Sequence, residues 1–208
     1  MAGVTESSIE SSALAWLEAL GYEIKHGPEI AVGSPGAERS DPKYRDVVLE
    51  GRLREAIARL NPGLPAQTRE DALRKLTQLD APSLLERNRA AHRMLINGVN
   101  VEYARPDGSI AGDQARVIDF DHPTNNDWLA VSQFTVAGSA PGQAARQRRA
   151  DIVLFLNGLP VVVVELKNPG QENATVGSAW AQLQTYQAQI PALFATNAAL
   201  VVSDGMQA

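Results

Sequence analysis

Three charged side chains stand out in the apolar C-terminal part of the chain. Glu165 and Lys167 end an apolar run that begins at Leu159, and Asp151 opens the apolar run before it. Side chains two positions apart on a strand point the same way, so Glu165 and Lys167 share one face. Charges at the end of a buried strand are costly unless they are paired or used. These three residues therefore form a candidate site.

Whether Asp151 joins that face depends on the connection between the two apolar runs, through Asn157 and Gly158. A two-residue turn would place Asp151 and Glu165 on opposite faces, whereas an odd loop or a bulge would place them on the same face. We predict the odd register, because the chemistry needs both carboxylates together. Gly158 suits the left-handed position of a three-residue loop.

Two carboxylates and a strand-end carbonyl, that of Leu166, form an oxygen-rich ligand set of the kind that Mg²⁺ prefers. A cation there can organise a water for in-line attack on a phosphodiester, while Lys167 stabilises charge on the phosphoryl oxygens. The alternative is a structural salt bridge between Lys167 and Glu165 or Asp151. A glycosidase carboxylate pair needs no lysine and favours aromatic sugar platforms, which a chain with 5% aromatic residues offers poorly.

The composition bounds the class of protein. The 208 residues are 44% hydrophobic and 21% charged, which is typical of a globular chain and excludes disorder as a whole. No run approaches the roughly 20 apolar residues of a transmembrane helix, and the N-terminus lacks a secretory signal, so we expect a cytoplasmic protein with no membrane contact. The absence of cysteine excludes thiolate chemistry, and three scattered histidines offer no local zinc motif and receive no role.

The charge is unevenly distributed along the chain. The net charge is −5 and the isoelectric point is near 5.2, which argues against a surface covered with phosphate-binding groups. Residues 45–105 nevertheless carry eleven basic and eight acidic side chains, so the middle third is electropositive. Lys167 is the one positive residue after Arg149.

Hydrophobic periodicity predicts one α/β or α+β domain with a mixed sheet and an early helical segment. Further helices are predicted to begin near Thr68 and Ser83, each capped by its own hydroxyl, and a Pro106-Asp107-Gly108 turn predicts a hairpin. The other predicted helices span 6–20, 45–60 and 175–190. Strands are predicted over 22–24, 99–105, 115–120, 128–136, 151–156, 160–166 and 198–202. The predicted loops are 27–43 and 137–149, with a break at 168–170.

Asp151, followed fourteen positions later by Glu165-Leu166-Lys167, resembles the PD-(D/E)xK nuclease motif. Ala150 replaces the proline of the motif's name at a position that ligates nothing. The surrounding segments resemble the N-terminal nuclease region of the restriction (R) subunit of type I restriction endonucleases over nearly the whole chain. These segments are NGVNVEYA, IDFDHPTNNDWLAVSQFTV, ADIVLFLNGLPVVVVELKNP, AWAQLQTYQAQIPALF and SDG. The resemblance implies a restriction-endonuclease-like core, a mixed central β-sheet flanked by helices, with an additional helical segment in the first half.

The resemblance also implies roles for particular residues. Asp151 and Glu165 are expected to ligate Mg²⁺ together with the Leu166 carbonyl, and Lys167 is expected to be the catalytic lysine. Gln182 and Tyr186 match the family's QxxxY motif. Their spacing of four places them on one helix face, where they could touch the DNA backbone or the active-site carboxylates. The alternative for this pair is a half-buried flank of the helix.

Four further residues are candidates in the same way. Glu10 matches the catalytic glutamate that related nucleases place on the first helix near the metal, although Ser7 and Glu10 also fit a capping box. Arg146, Arg148 and Arg149 precede Asp151 and could meet DNA phosphates on the way into the site. The alternative for the three arginines is a solvated flexible loop.

The whole of 1–208 is interpreted as a single nuclease domain, with helices and first strands in 1–136 and the catalytic strands and QxxxY helix in 150–202. The expected activity is Mg²⁺-dependent endonucleolytic cleavage of double-stranded DNA, as in a type I site-specific deoxyribonuclease. The resemblance places ATP-driven translocation in a motor that this chain lacks, since none of its lysines follows a glycine as a P-loop requires. ATP is therefore expected to bind only the full-length subunit.

By the same resemblance, the expected partners are the modification and specificity subunits of a restriction complex. Two alternatives remain open. One is a freestanding RecB-like repair nuclease of the same superfamily. The other is a non-catalytic DNA-binding or assembly module that keeps only the fold.

Overall fold

The computed structural model describes residues 5–138, 144–168, 175–205 and 207. The described helices and strands, in chain order, are α1 (Glu6–Ala19), β1 (Glu23–His26), α2 (Glu50–Leu60), α3 (Ala66–Thr77), α4 (Leu84–Asn97), β2 (Val99–Ala104), β3 (Ile110–Ala115), β4 (Trp128–Gly138), β5 (Arg146–Leu156), β6 (Leu159–Leu166), α5 (Val176–Gln189) and β7 (Ala199–Ser203). None of these helices is both long and apolar enough to cross a membrane.

The chain divides into two compact units. The first contains the described parts of Met1–Val47, Trp128–Phe155 and Pro160–Ala208, and the second contains Val48–Asp127 and Leu156–Leu159. The first unit holds the catalytic candidates, and the second holds most of the electropositive segment. The interpretation of residues 1–208 as one nuclease domain stays a prediction.

The first unit is built on a five-stranded sheet with the order β1-β4-β5-β6-β7. β1 runs parallel to β4 and β6 runs parallel to β7, whereas the tight turn between β5 and β6 makes that pair antiparallel. The sheet is therefore mixed, and helices flank it. The predicted α/β fold with a restriction-endonuclease-like core is confirmed.

Two helices with similar N-terminal caps pack against this sheet. The Thr5 hydroxyl caps α1 in a box with Ser8, and the Thr175 hydroxyl caps α5 in a box with Ser178, so each helix begins by satisfying free backbone N–H groups. Ile9 of α1 packs into a core cluster of the sheet. The buried residues of α5 are Ala179, Leu183 and Tyr186.

The second unit combines α2, α3 and α4 with the antiparallel β2–β3 hairpin. The Asn157 side chain is fully buried there, and it accepts from the backbone N–H of Asp127 at 2.7 Å and donates to the carbonyl of Val117 at 2.8 Å. Gly158 follows at φ +81°, and a Cβ at this position would clash with the carbonyl oxygen of Leu49. The turn Asn157-Gly158 is therefore restricted by both hydrogen bonding and space.

The structure corrects several predicted boundaries. α2 begins at Glu50 rather than 45, and α3 begins at Ala66, with Pro65 as its N-cap and Thr68 buried within the helix instead of capping it. β3 covers Ile110–Ala115, about five residues before the predicted strand. The Ser83 cap of α4 is confirmed, since its hydroxyl accepts from the Glu86 backbone N–H. The predicted loop over 137–149 and the break at 168–170 lie partly outside the described residues.

Candidate active site

Asp151 and Leu166 connect β5 to β6 through a side chain. The Asp151 carboxylate (Oδ2) accepts a hydrogen bond from the backbone N–H of Leu166 at 2.7 Å. The residue is buried, with 9% of its surface exposed. Burial raises the pKa of Asp151, the bond from Leu166 opposes that rise, and the nearby carboxylate of Glu6 adds to it. Asp151 is therefore held directly beside the segment that contains Glu165 and Lys167.

The packing of the two strands shows which face Asp151 and Glu165 occupy. One core cluster contains alternate residues of both strands: Ile152, Leu154, Val162, Val164 and Leu166. Asp151 and Glu165 alternate with these residues, so they share the opposite face. This agrees with the predicted odd register. The predicted three-residue loop is wrong, because the turn has two residues, Asn157 at φ 51° and Gly158 at φ 81°. A regular hairpin on a two-residue turn would place Asp151 and Glu165 on opposite faces, so we infer an irregularity within the strands and not in the turn.

Glu165 is a buried carboxylate with only one of its two oxygens paired. The residue is 1% exposed, and its Oε1 accepts from the Lys167 ammonium at 2.8 Å. Oε2 is also buried, and no described residue donates a hydrogen bond to it. Burial raises the pKa of Glu165 to about 7, because the Lys167 ammonium only partly offsets the loss of water. An unpaired buried oxygen of this kind is costly unless another group uses it.

Lys167 is fixed between a carboxylate and an amide. Its ammonium donates to Glu165 and, at 2.8 Å, to the Gln182 side-chain oxygen on α5. The Gln182 amide nitrogen donates to the Tyr186 hydroxyl at 2.6 Å, and that hydroxyl donates to the Arg149 carbonyl at 3.0 Å. Burial raises the pKa of Tyr186 to about 12, so its hydroxyl stays a neutral donor. The QxxxY pair therefore forms a chain of hydrogen bonds that ends on Lys167.

Glu10 lies near the site but does not cap its helix. The capping box at this end is formed by Thr5 and Ser8, so the capping alternative for Ser7 and Glu10 is wrong. The Glu10 carboxylate instead accepts from the Gln133 amide nitrogen at 2.6 Å. It is also one of the charges that raise the pKa of Asp151, after burial and the charge of Glu6. Glu10 is thus coupled electrostatically to Asp151.

The three arginines before Asp151 belong to a strand and not to a loop. Arg146, Arg148 and Arg149 lie within β5, which begins at Arg146. Arg148 donates to the Gln189 side-chain oxygen of α5 at 2.7 Å, whereas Arg146 and Arg149 are exposed. The alternative of a solvated loop is therefore wrong. The exposed pair stays available for contact with phosphates.

Two residues near the site, Glu6 and Gln133, were not predicted from the sequence. Glu6 contributes to the raised pKa of both Asp151 and Glu165, after burial and local contacts. Its spacing of four from Glu10 on α1 could have indicated a shared helix face. Gln133, which holds Glu10, has φ 55° within β4, and no pattern in the sequence predicts a left-handed residue there.

The donors at this site are oxygens, which suit a hard cation. Asp151 and Glu165 are the carboxylates, and the unpaired Oε2 of Glu165 is the atom that a cation would satisfy. Among the described residues, no group of three or more His, Cys, Asp or Glu is arranged to hold a metal. A cation here would therefore complete its shell with backbone carbonyl and water ligands, as Mg²⁺ commonly does.

The sequence is similar to known proteins over nearly its whole length. The family model described as type I restriction enzyme R protein N terminus matches residues 3–208. The HindI type I restriction enzyme endonuclease subunit of Haemophilus influenzae is 37% identical over 205 residues, covering 99% of this chain and 19% of that protein. The putative type I restriction enzyme MjaIXP endonuclease subunit of Methanocaldococcus jannaschii is 33% identical over 199 residues, covering 96% and 18%.

The chain spans about a fifth of the length of these curated relatives. The match to the family covers all described elements of both units, from α1 to β7. It therefore includes the strands that carry Asp151, Glu165 and Lys167 as well as the helix that carries Gln182 and Tyr186. The chain belongs to the type I restriction enzyme R protein family, and it corresponds to the N-terminal region of that protein.

Proposed function

We propose that this chain is the Mg²⁺-dependent DNA endonuclease domain of a type I restriction enzyme R subunit. One observation carries the proposal: Glu165 is buried with an unpaired oxygen, beside Asp151 on the same sheet face and in contact with Lys167. A purely structural salt bridge would leave no reason for that unpaired oxygen. The names of the relatives, which are endonuclease subunits, support the same reaction class.

Asp151, Glu165 and the Leu166 carbonyl would hold the cation. When bound, Mg²⁺ supplies a polarised water and neutralises charge on the phosphate group. Asp151 contributes a carboxylate whose Oδ2 is oriented by the Leu166 N–H. Glu165, with a pKa of about 7, gives up its proton near neutral pH. A cation binds the ionised carboxylate that this produces.

Lys167 would act on the phosphodiester itself. Its ammonium is held by Glu165 on one side and by Gln182 on the other, so its position is set before substrate arrives. From there it can donate to the phosphoryl oxygens as negative charge develops on them. Gln182 and Tyr186 are positioning residues in this scheme, because they act through Lys167. Glu10 would assist by modulating the charge of Asp151.

We extend this function to the larger assembly. Double-stranded DNA is the substrate, and Arg146 and Arg149 offer exposed charges to its phosphates. We assign ATP binding and DNA translocation to other parts of the subunit, with cleavage following translocation. The modification and specificity subunits would supply target recognition, and the complex would act in the cytoplasm. The match to the type I restriction enzyme R protein family supports these assignments.

A metal titration tests the proposal directly. Mg²⁺ added to the wild-type chain should raise its unfolding temperature in a saturable way, whereas Glu165→Ala should lose that response. Glu18→Ala, which changes an exposed carboxylate on α1, is the matched control and should respond like the wild type. Plasmid cleavage is measured in parallel with each variant assembled into the complete restriction complex.

The outcomes separate the three candidate functions. Loss of both the metal response and cleavage in Glu165→Ala supports the nuclease domain. Retention of full cleavage in that variant would contradict it and favour a non-catalytic assembly module. Efficient cleavage by the wild-type chain without partner subunits would instead favour a freestanding RecB-like nuclease.

A further inference from the structure

A concavity in the second unit lies apart from the residues of the proposed nuclease site along the chain. It has a volume of about 630 Å³ and is formed where the C-terminal half of α4 meets the β2–β3 hairpin. Sites for small molecules and cofactors commonly have volumes of this size. Its apolar lining residues are Ala90, Met94 and Val99.

The charged groups around this concavity are positive. Lys75 and Arg93 line it, and no acidic residue does. Two neighbouring concavities at the same hairpin differ, because Asp119 and Asp121 line one of them and Asp71, with two further acids, lines the other. Among these three concavities, the one beside Arg93 is therefore the one suited to a ligand with negative charge.

Arg93 supplies charge that the protein itself does not neutralise. Lys75 is already paired with Asp71 at 2.8 Å and donates to the Asn100 carbonyl at 2.9 Å. Arg93 is exposed, and its guanidinium makes no ion pair or hydrogen bond with another described residue. An arginine without an ion-pair partner that lines a concavity is a common means of binding phosphate.

The remaining polar groups favour more than a bare anion. Asn97, Asn100 and Gln114 line the concavity, and their side chains make no hydrogen bond with a described residue. Amide side chains both donate and accept, which matches the edge of a nucleobase. The C-terminal end of α4 also carries a partial negative charge that disfavours a small anion placed against it. A base packed against the apolar lining residues, with its phosphate at Arg93, would give each of these groups a partner.

We propose that this concavity binds a nucleotide unit of a nucleic-acid strand, with Arg93 on the phosphate and the three amides on the base. The site is distinct from the one that cuts DNA, and its occupancy requires neither Mg²⁺ nor Glu165. It would let the second unit hold a strand independently of cleavage. A free nucleotide has the same base and phosphate groups, so the experiment must distinguish it from a nucleic-acid strand.

The test measures binding of a fluorescein-labelled single-stranded 20-mer to the 208-residue chain by fluorescence anisotropy in EDTA. Arg93→Ala should weaken binding roughly tenfold, because one charge-assisted phosphate contact is lost. The slope of log K against log salt should become shallower by about 0.7. Gln114→Glu, which keeps the size of the side chain but adds an acid, should weaken binding as well.

Arg105→Ala is the matched control, because Arg105 is also exposed in the second unit but does not line the concavity. It should leave both affinity and salt slope unchanged. Equal losses in Arg93→Ala and Arg105→Ala, or no loss in Arg93→Ala, would overturn the proposal. The unfolding temperature of Arg93→Ala should match the wild type, since the side chain is exposed and makes no ion pair with a described residue.

Competition identifies the source of the nucleotide. Unlabelled 20-mer should displace the probe at far lower concentration than dTMP, and inorganic phosphate should not displace it. Displacement by dTMP at equal concentration would assign the site to a free nucleotide, and displacement by phosphate alone would refute base recognition. Strand binding is measured in EDTA and without cleavage, so failure here and failure of the proposed nuclease site are separate results.

Discussion

Replacing Glu165 by glutamine is expected to stabilise the metal-free chain at alkaline pH. The wild-type carboxylate is 1% exposed and has one unpaired oxygen, and burial raises its pKa from 4.5 to about 7 despite the contact with Lys167. The folded state therefore keeps this proton to a higher pH than the unfolded state does. The free energy of unfolding must then fall as the pH rises from 4.5 to 7.

The size of the effect follows from that pKa. A rise from 4.5 to about 7 corresponds to about 3 kcal/mol of unfolding free energy above pH 7 as an upper bound. The glutamine side chain of the Glu165→Gln variant cannot ionise, and it resembles the protonated carboxyl in size. This variant should therefore gain up to about 3 kcal/mol over the wild type at pH 8.5, and the difference should vanish below pH 4.5.

Urea denaturation followed by tryptophan fluorescence, at pH 4, 6 and 8.5 in EDTA, measures this difference. Glu18→Gln is the control, since it removes an exposed carboxylate and should change the stability by less than about 0.5 kcal/mol at each pH. A Glu165→Gln variant that is destabilised at pH 8.5 and neutral at pH 4 would refute the reasoning. It would show that the ion pair between Glu165 and Lys167 stabilises the fold by more than the burial of the Glu165 charge costs.

The remaining predictions concern Lys167, the residues that position it, and the chain alone. Lys167→Ala should abolish cleavage by the assembled complex while ATP-driven translocation continues, and a loss of translocation would indicate a structural or coupling role. Gln182→Ala should lower the cleavage rate by about 10- to 100-fold with little change in the Mg²⁺ response, because Lys167 loses an acceptor but the carboxylates remain; an unchanged rate in single-turnover assays would exclude a positioning role. Tyr186→Phe should cost about 1 kcal/mol in urea denaturation, since the buried hydroxyl donates to the Arg149 carbonyl. The isolated chain should cut plasmid poorly and without sequence preference at low salt, because few phosphate contacts are available; cleavage at a defined sequence would contradict this.

Much of the sheet could be predicted from the apolar runs. β5 and β6 follow the two clearest apolar runs, and the Lys167 ammonium contacts Glu165, as expected of two residues predicted to share one face. The N-terminal extension of β5 could not be predicted in this way. Arg146, Arg148 and Arg149 interrupt the hydrophobic pattern, but their backbone still pairs within the sheet, and strand propensity depends strongly on such context.

The candidate site could likewise be predicted only in part. Motif spacing identified Asp151, Glu165 and Lys167, but the contacts that hold the surrounding groups join distant positions in the chain. Gln133 donates to Glu10 across 123 positions, from a left-handed conformation that only the folded sheet imposes. Local sequence patterns report neighbours within a few residues, so they contain no information on such a pair.

The alternating packing of β5 and β6 restricts which insertions and deletions this protein can accept. A single residue added between Asp151 and Glu165 would reverse the faces beyond that point, moving Leu166 toward the candidate metal site and Glu165 into the apolar cluster. A change of two residues at the turn would keep the faces. Natural length variation between these two acids should therefore occur in even steps, or in odd steps that also remove the irregularity within the strands. Related chains of different length between the two acids would then share the candidate site while differing in the β5–β6 connection.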